Sequence, residues 1–417
     1  MMLLTGLLLS RLARKVGLPT VIGEITAGIV LGPSLLGLLP GHVESVVFPV
    51  EVRPYLSAVA QVGLLLFMFL IGWRTDPRLF GATARRATAV SLSAVAVSFG
   101  CGVSLAALLY SRHSEVGGHH VRFGVFSLFL GTALAITAFP VLARILAEKR
   151  LTRTQVGVTA LTAAAMDDVL AWCLLALCAA LVTAHSPAEV GRILLLSAFY
   201  LLTLALVARP LLTAFVTRRT ERHPGELLAV VAAGVFLSSY ATTWIGIHAI
   251  FGAFAFGVVM PREPADALRT SVLQPLDHIS QFLLPAFFIV TGFGVDIGGL
   301  CVHGWLELTA VIGLACAGKV IGTLIPARAS RLTWADTRTL CLLMNTRGLT
   351  EIVVLNTGVA LKVIDQQVFT MGVLMALVTT ALSGLVKASP AREPHGSLSP
   401  CTRASAAGPD RHPTTTE

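Results

Sequence analysis

The feature that most constrains this chain is a run of apolar stretches joined by short loops, covering residues 1–12, 18–39, 55–73, 87–111, 122–148, 155–183, 188–217, 225–243, 246–260, 276–296, 303–325, 335–358 and 367–388. A hydrocarbon core about 30 Å thick takes about 20 helical residues to cross, and most of these stretches reach that length. Backbone groups in lipid must bond within their own segment or barrel, so runs of this length and composition predict helices. With 55% hydrophobic residues, 13% charged and a mean hydropathy of +0.80, an ordinary soluble domain is excluded. The expected fold is an all-α polytopic membrane protein of about thirteen helices, the first too short to cross on its own.

Basic side chains crowd the loops after odd-numbered stretches, as with Arg11, Arg14 and Lys15 or Arg144, Lys149, Arg150 and Arg153. After even-numbered stretches only Arg53, Arg112, Arg122, Arg192 and Lys362 appear. That alternation predicts a multi-pass protein of the cell membrane, N-terminus outside and C-terminus cytoplasmic. It also accounts for the formal charge of +9 without a nucleic-acid partner, because the positive charge forms no continuous face. The seven cysteines show no Cys-x-x-Cys spacing, so neither a disulfide framework nor a zinc site is indicated, and no cofactor is expected. Residues 1–388 read as the transmembrane domain, and the Pro-, Ser- and Thr-rich segment 389–417 as a disordered cytoplasmic tail.

Within this apolar background, "LTAAAMDDVLAWCLLAL" carries adjacent carboxylates, Asp167 and Asp168, midway along a helix. An acid at bilayer depth costs roughly 2.5 to 3.5 kcal/mol on insertion scales and marks an ion path or proton relay by default; a purely structural acid is the alternative. Neighbours on a helix point about 100° apart, so the two serve different partners. Two stretches look broken at mid-depth. "TALAITAFPVLARIL" holds Thr132, Thr137 and Pro140, whose ring pushes Phe139 out of helical geometry. "LLMNTRGLTEIVVLN" places Asn345, Thr346, Arg347 and Gly348 at the centre, with Glu351 four residues after Arg347 and able to pair with it. Broken helices at matching places in the two halves suggest an inverted repeat with an ion site where they cross. Lys319 lies well inside its own span and calls for an internal carboxylate partner. Glu24 reads either as a path-lining acid or as one bonded to a neighbouring backbone, His248 as a packed histidine, and Gly28 with Gly32 as a weak packing pattern. His113, His119 and His120 fall in an outer loop, where histidines can sense pH.

"GLPTVIGEITAGIVLGPSLLG", "ITAFPVLARIL" and "LLMNTRGLTEIVVLNTG" together, in this order and spacing, resemble the second monovalent cation:proton antiporter family, in particular its Kef-type and plant cation/proton-exchanger branch. The resemblance covers roughly residues 8–388. It implies a homodimer in which a core of two crossed broken helices moves against a dimerisation region. By position, it makes Asp168 the acid that binds cation and proton in turn, Asp167 its neighbour and Lys319 the lysine facing the pair. Many electroneutral relatives have Asn at the first acidic position, so Asp167 implies an electrogenic site. The nucleotide-binding regulatory domain of Kef-type channels has no counterpart in this chain, and the short first helix leaves open a start further upstream.

These residues lead to exchange of Na⁺ or K⁺ for H⁺ by alternating access, with no enzymatic step. An ionised Asp168 accepts a cation, helped by carbonyls at the break and the hydroxyls of Thr132 and Thr137; a protonated one carries H⁺ back. Rival readings are a cation channel, for which no repeated filter motif is present, and a sodium-coupled organic-anion symporter, for which polar mid-membrane residues are scarce. An intramembrane aspartyl protease is excluded by geometry, since adjacent acids on one helix cannot face each other as a dyad.

Overall fold

The computed structural model describes residues 2–35, 51–74, 84–152, 154–183, 187–219, 224–263 and 268–386. The segment 389–417, expected to be disordered, lies outside the described residues, as do Arg78, Arg153 and Arg222 of the basic loops. Every apolar stretch read from the sequence contains a helix or a pair of half-helices. In chain order these are α1 (Met2–Lys15), α2 (Thr20–Leu31), α3 (Arg53–Arg74), α4 (Ala84–His113), α5 (Phe123–Ala135), α6 (Phe139–Glu148), α7 (Gln155–Thr183) and α8 (Pro187–Thr203). There follow α9 (Arg209–Arg219), α10 (Pro224–Ile245), α11 (Ala249–Val259), α12 (Gln274–Phe293), α13 (Val302–Ala329), α14 (Trp334–Met344), α15 (Leu349–Ala360) and α16 (Gln366–Gly384). Among the described residues, eight helices, counting α8–α9 and the run into α12 as one each, are long and apolar enough to cross a bilayer. Leu195, Phe199, Leu206 and Leu211 on α8–α9 point outward, as a lipid-facing surface requires.

Local chemistry sets the interruptions. Pro210 has no N–H to offer, and the preceding turn, Leu204–Ala208, widens to a π-turn between α8 and α9. The first broken span parts at residues 136–138, slightly earlier than Pro140 implied. Phe139 is helical after all, because Pro140 falls in the first turn of α6, where a missing N–H costs nothing. The second break falls at residues 345–348, as read from the sequence. α2 stops at Leu31, with Gly32 extended, so the stretch expected to run to residue 39 is helical only in its first part; residues 36–39 lie outside the described residues. His113 closes α4 instead of lying in a loop; the hairpin after it pairs Val116 with His119, and Gly117 and Gly118 supply the positive φ angles of its two-residue turn.

The helices pack in two groups. α1, α2, α3, α10, α11 and α12 form a scaffold along which α8–α9 runs; α4, α5, α6, α7, α13, α14, α15 and α16 form a core. Inside each group, backbones touch. A methyl group on Gly28 would sit 2.2 Å from the Ile289 carbonyl oxygen, and one on Gly292 would sit 2.6 Å from the Gly28 Cα, so the Gly28–Gly32 pattern marks a true crossing of α2 on α12. In the core, one on Gly102 would sit 2.6 Å from the Gly131 Cα, bringing α4 equally close to α5. Between the groups side chains make the hydrogen bonds, to one another or to main chain: Arg144 Nη1 donates to Thr20 Oγ1 at 2.5 Å, Asn356 Nδ2 to Thr291 Oγ1 at 3.1 Å, and the Asp296 N–H to Thr370 Oγ1 at 3.2 Å.

Candidate functional site

Where a helix breaks inside a bundle, the freed main-chain groups need partners, and here each break supplies some of the other's. The Ala138 N–H donates to the Thr346 carbonyl at 3.0 Å, and the Thr137 hydroxyl lies 3.2 Å from the Met344 carbonyl. The two extended segments therefore cross in contact. At the end of α5, the carbonyls of Ala133 and Leu134 accept from Arg347 Nη1 and Nη2 at 2.9 and 2.7 Å, and that of Ala135 from Lys319 Nζ at 2.6 Å. Cations thus cover the negative end of a half-helix dipole. Arg347 also reaches Glu351 Oε2 at 2.7 Å, as the four-residue spacing predicted. Its own backbone is tied to Thr380, whose hydroxyl accepts from the Arg347 N–H at 3.1 Å and lies 2.6 Å from the Arg347 carbonyl.

α7 passes beside the crossing and carries the two adjacent acids into different surroundings. Asp167, 0% exposed, is saturated: Ser91 Oγ donates to Oδ1 at 2.6 Å, while Thr137 Oγ1 and Lys319 Nζ reach Oδ2 at 2.7 and 3.0 Å. Lys319, equally buried, spends its three protons on the Ala135 carbonyl, Thr137 Oγ1 at 2.7 Å and Asp167. Asp168 is 3% exposed, yet neither carboxylate oxygen has a hydrogen-bond partner. The Phe139 N–H, at the start of α6, and the Thr350 hydroxyl, in the first turn of α15, are the polar groups that face it. Neither is in bonding geometry, and the Thr350 hydroxyl is itself unpartnered. Asp168 therefore sits by the positive ends of two half-helices with its oxygens free to bind.

Of the other residues singled out in the sequence, Thr132 turns its hydroxyl back to the Leu128 carbonyl at 2.7 Å and does not join the acids. The buried Asn345 Oδ1, Thr346 Oγ1 and Glu351 Oε1 are unpartnered. Glu24 is half-buried with Arg144 as its charged neighbour, and His248 caps α11, its ring accepting from the Ile250 N–H at 3.5 Å. The sequence reading missed Ser91, Thr350 and Thr380, because hydroxyls are common in membrane helices; only the spacing of Ser91 and Ser98, two turns apart on one face of α4, was a signal.

Among the described residues, Asp167, Asp168, Lys319, Arg347 and Glu351 are the only buried Asp, Glu, Lys or Arg side chains, and Lys319 lies within electrostatic reach of Asp167, Arg347 and Glu351. Three acids against two bases leave one negative charge when all are ionised, and this is the formal charge that one bound monovalent cation or one proton cancels.

Residues 1–391 match the family model described as the transmembrane sodium/hydrogen exchanger. Similar proteins include Cation/H(+) antiporter 15 of Arabidopsis thaliana, 39% identical over 87% of this chain and 44% of the relative, and K(+)/H(+) antiporter 1 of Saccharomyces cerevisiae, 34% identical over 87% and 42%. The chain thus spans about half the length of these relatives. Na(+)/H(+) antiporter NhaS4 of Synechocystis is 36% identical over 93% of this chain and 94% of its own. The fold is similar to that of the sodium proton antiporter MjNhaP1 from Methanocaldococcus jannaschii, with a TM-score of 0.66 over 92% of this chain and 94% of that one at 14% identity. Family model, relatives and fold agree with one another: the chain belongs to the transmembrane sodium/hydrogen exchanger family.

Proposed function

We propose that this protein exchanges a monovalent cation, Na⁺ or K⁺, for H⁺ across the cell membrane by alternating access, with cation and proton competing for Asp168. The observation that carries this is the contrast between adjacent acids: Asp167 is consumed by Ser91, Thr137 and Lys319, while Asp168 keeps both oxygens free at the crossing. A buried ionised carboxylate without a partner is strongly penalised, so Asp168 has two stable forms, protonated or cation-bound. Oxygen ligands suit hard cations, and the unpartnered Thr350 hydroxyl facing Asp168 is an additional donor of that kind. Coupling follows because the two ligands exclude one another. The relatives' names divide between Na⁺, K⁺ and unspecified cations, so both remain in the proposal. The core and scaffold are the two bodies whose relative movement carries the site from one face to the other, in a homodimer with its N-terminus outside.

The test is transport by purified protein in proteoliposomes under imposed Na⁺, K⁺ or Li⁺ gradients with internal pH monitored. Asp168→Asn should abolish cation-dependent proton movement while leaving a folded protein, because an amide releases no proton; exchange at the wild-type rate refutes the assignment. The exchange is electrogenic in this reading, with Lys319 released from Asp167 when the cation binds and yielding a second proton. A membrane potential then contributes about 2.3 kcal/mol per charge per 100 mV, and Asp167→Asn should keep some exchange while losing most of the response to voltage.

A further inference from the structure

At the far end of the core from the α6–α7 turn lies a second cluster of titratable groups, gathered around one buried imidazole, which the transport site does not use. His113, the last residue of α4, is 2% exposed. Its Nδ1 lies 2.5 Å from Asp365 Oδ2 and its Nε2 lies 3.2 Å from Glu307 Oε2. Glu307 belongs to α13 and also takes Arg112 Nη1 on Oε1 at 3.0 Å; Asp365 caps α16, accepting the Val368 N–H on Oδ1 at 2.8 Å. Lys362 lies beside the hairpin turn at Gly117, and Tyr110 contacts His120 of the same hairpin; Glu115 and His119 are exposed on it. Of the groups on these elements, which also include the exposed His303 of α13 and Arg122 beside the hairpin, Asp365 and Glu307 are the two that contact the imidazole.

Ionised carboxylates only accept hydrogen bonds, and a neutral imidazole has one N–H. Two acceptors on opposite ring nitrogens therefore require a second proton, carried by the ring or by one of the acids. Whichever atom holds it, the triad contains one proton more than its alkaline form. Removing it leaves a nitrogen lone pair facing a carboxylate oxygen in a buried site and two acids with one donor between them. Burial pushes Asp365 up, but its hydrogen bonds to His113 and the Val368 N–H outweigh this and hold it below the usual carboxylate range. Asp365 thus stays ionised on the acid side, its contribution lost only as pH falls below that lowered value, while the extra proton, held between two acids, leaves on the alkaline side.

We propose that His113, with Asp365 and Glu307, is a second proton-binding site whose occupancy fixes the first turn of α16 against the scaffold. That turn carries the contacts: Gln366 Nε2 donates to the Gly294 carbonyl, and Thr370 Oγ1 accepts the Asp296 N–H at 3.2 Å, both from the segment after α12. The proton thus clasps α4, α13 and α16 beside the seam between the two bodies, and its loss frees the seam. The link from seam to transport rate rests on the alternating-access reading above; the proton site does not.

The experiment is hydrogen–deuterium exchange of the full chain in detergent from about pH 5.5, below the ordinary histidine value, to about pH 9.5, well above it, corrected for intrinsic exchange. Protection of residues 365–371, relative to a peptide from α10, should fall roughly tenfold or more as pH rises, as expected for losing a charge-assisted bond. His113→Arg, permanently charged, should hold protection flat, and His113→Gln should be equally low at both ends. A wild type whose relative protection is flat, or a His113→Gln protein that titrates like it, overturns the proposal; the wild-type curve decides even where a variant misfolds. Proteoliposome exchange by the same proteins separates the two readings. If the wild type moves no protons with cations, antiport fails while the exchange-protection result still stands.

Discussion

At the first interruption, between Ala135 and Phe139, the carbonyls that end α5 are covered by two charged side chains, Arg347 and Lys319. At the second, between Met344 and Leu349, the freed groups are satisfied by hydroxyls and main chain: Thr137, Thr380 and the Ala138 N–H. The traffic is one-sided, since Arg347 lies in the second break yet its guanidinium closes the first. Charge therefore gathers where carbonyl dipoles point, and Asp168 is left at the opposite, N–H ends. The first break should be intolerant of any loss of charge, the second sensitive mainly to shape.

The sharpest way to break this comparison is Arg347→Ala, which leaves two helix-end carbonyls and the Glu351 carboxylate without partners. Removing one partner of a buried pair costs about 3–5 kcal/mol, so thermal unfolding in detergent should show a grossly destabilised protein, with Arg347→Lys intermediate because it keeps charge without the fork. Next comes Gly348→Ala in the second break. Gly348 has φ of +155°, and an added Cβ would lie 2.8 Å from Val141 Cγ2, so about 1–3 kcal/mol of destabilisation is expected. A smaller loss should follow Thr380→Val, which leaves the Arg347 N–H and carbonyl unsatisfied at about 1–2 kcal/mol on the same measurement. Thr132→Val should do least. Its hydroxyl serves only its own helix, so stability should change by under about 1 kcal/mol and exchange in proteoliposomes should persist. Were Thr132→Val to cost more than Arg347→Ala, the division between charged and neutral closure would collapse.

Hydropathy made the order of the helices legible because lipid imposes it segment by segment. Asn345 to Gly348 announced the second break, since polar residues and glycine have no other reason to occupy a bilayer centre. The pairing of Arg347 with Glu351 was legible because it is local, four residues along one helix. The guanidinium's second task was not, because Ala133 and Leu134 bond through carbonyls that every residue possesses. The place of His113 in α4 is hidden in the sequence for a related reason. Ser111 and Arg112 lower the hydropathy of the last turn of α4 and make it look like loop, and the acids that bury the imidazole come from α13 and the cap of α16.

The crossing of Gly28 with Gly292, and that of Gly102 with Gly131, have a mechanical consequence. Two backbones this close have no intervening side chain that can change rotamer, so each pair resists rolling and sliding. Each group is stiff on the inside for that reason. The seam has the opposite property: long side chains such as Arg144 and Asn356 span it and can swing from one partner to another without disturbing a helix. The seam is thus the softer surface, and a displacement of the core against the scaffold, as the proposed alternating access requires, would carry the crossing that surrounds Asp168 bodily and not reshape it.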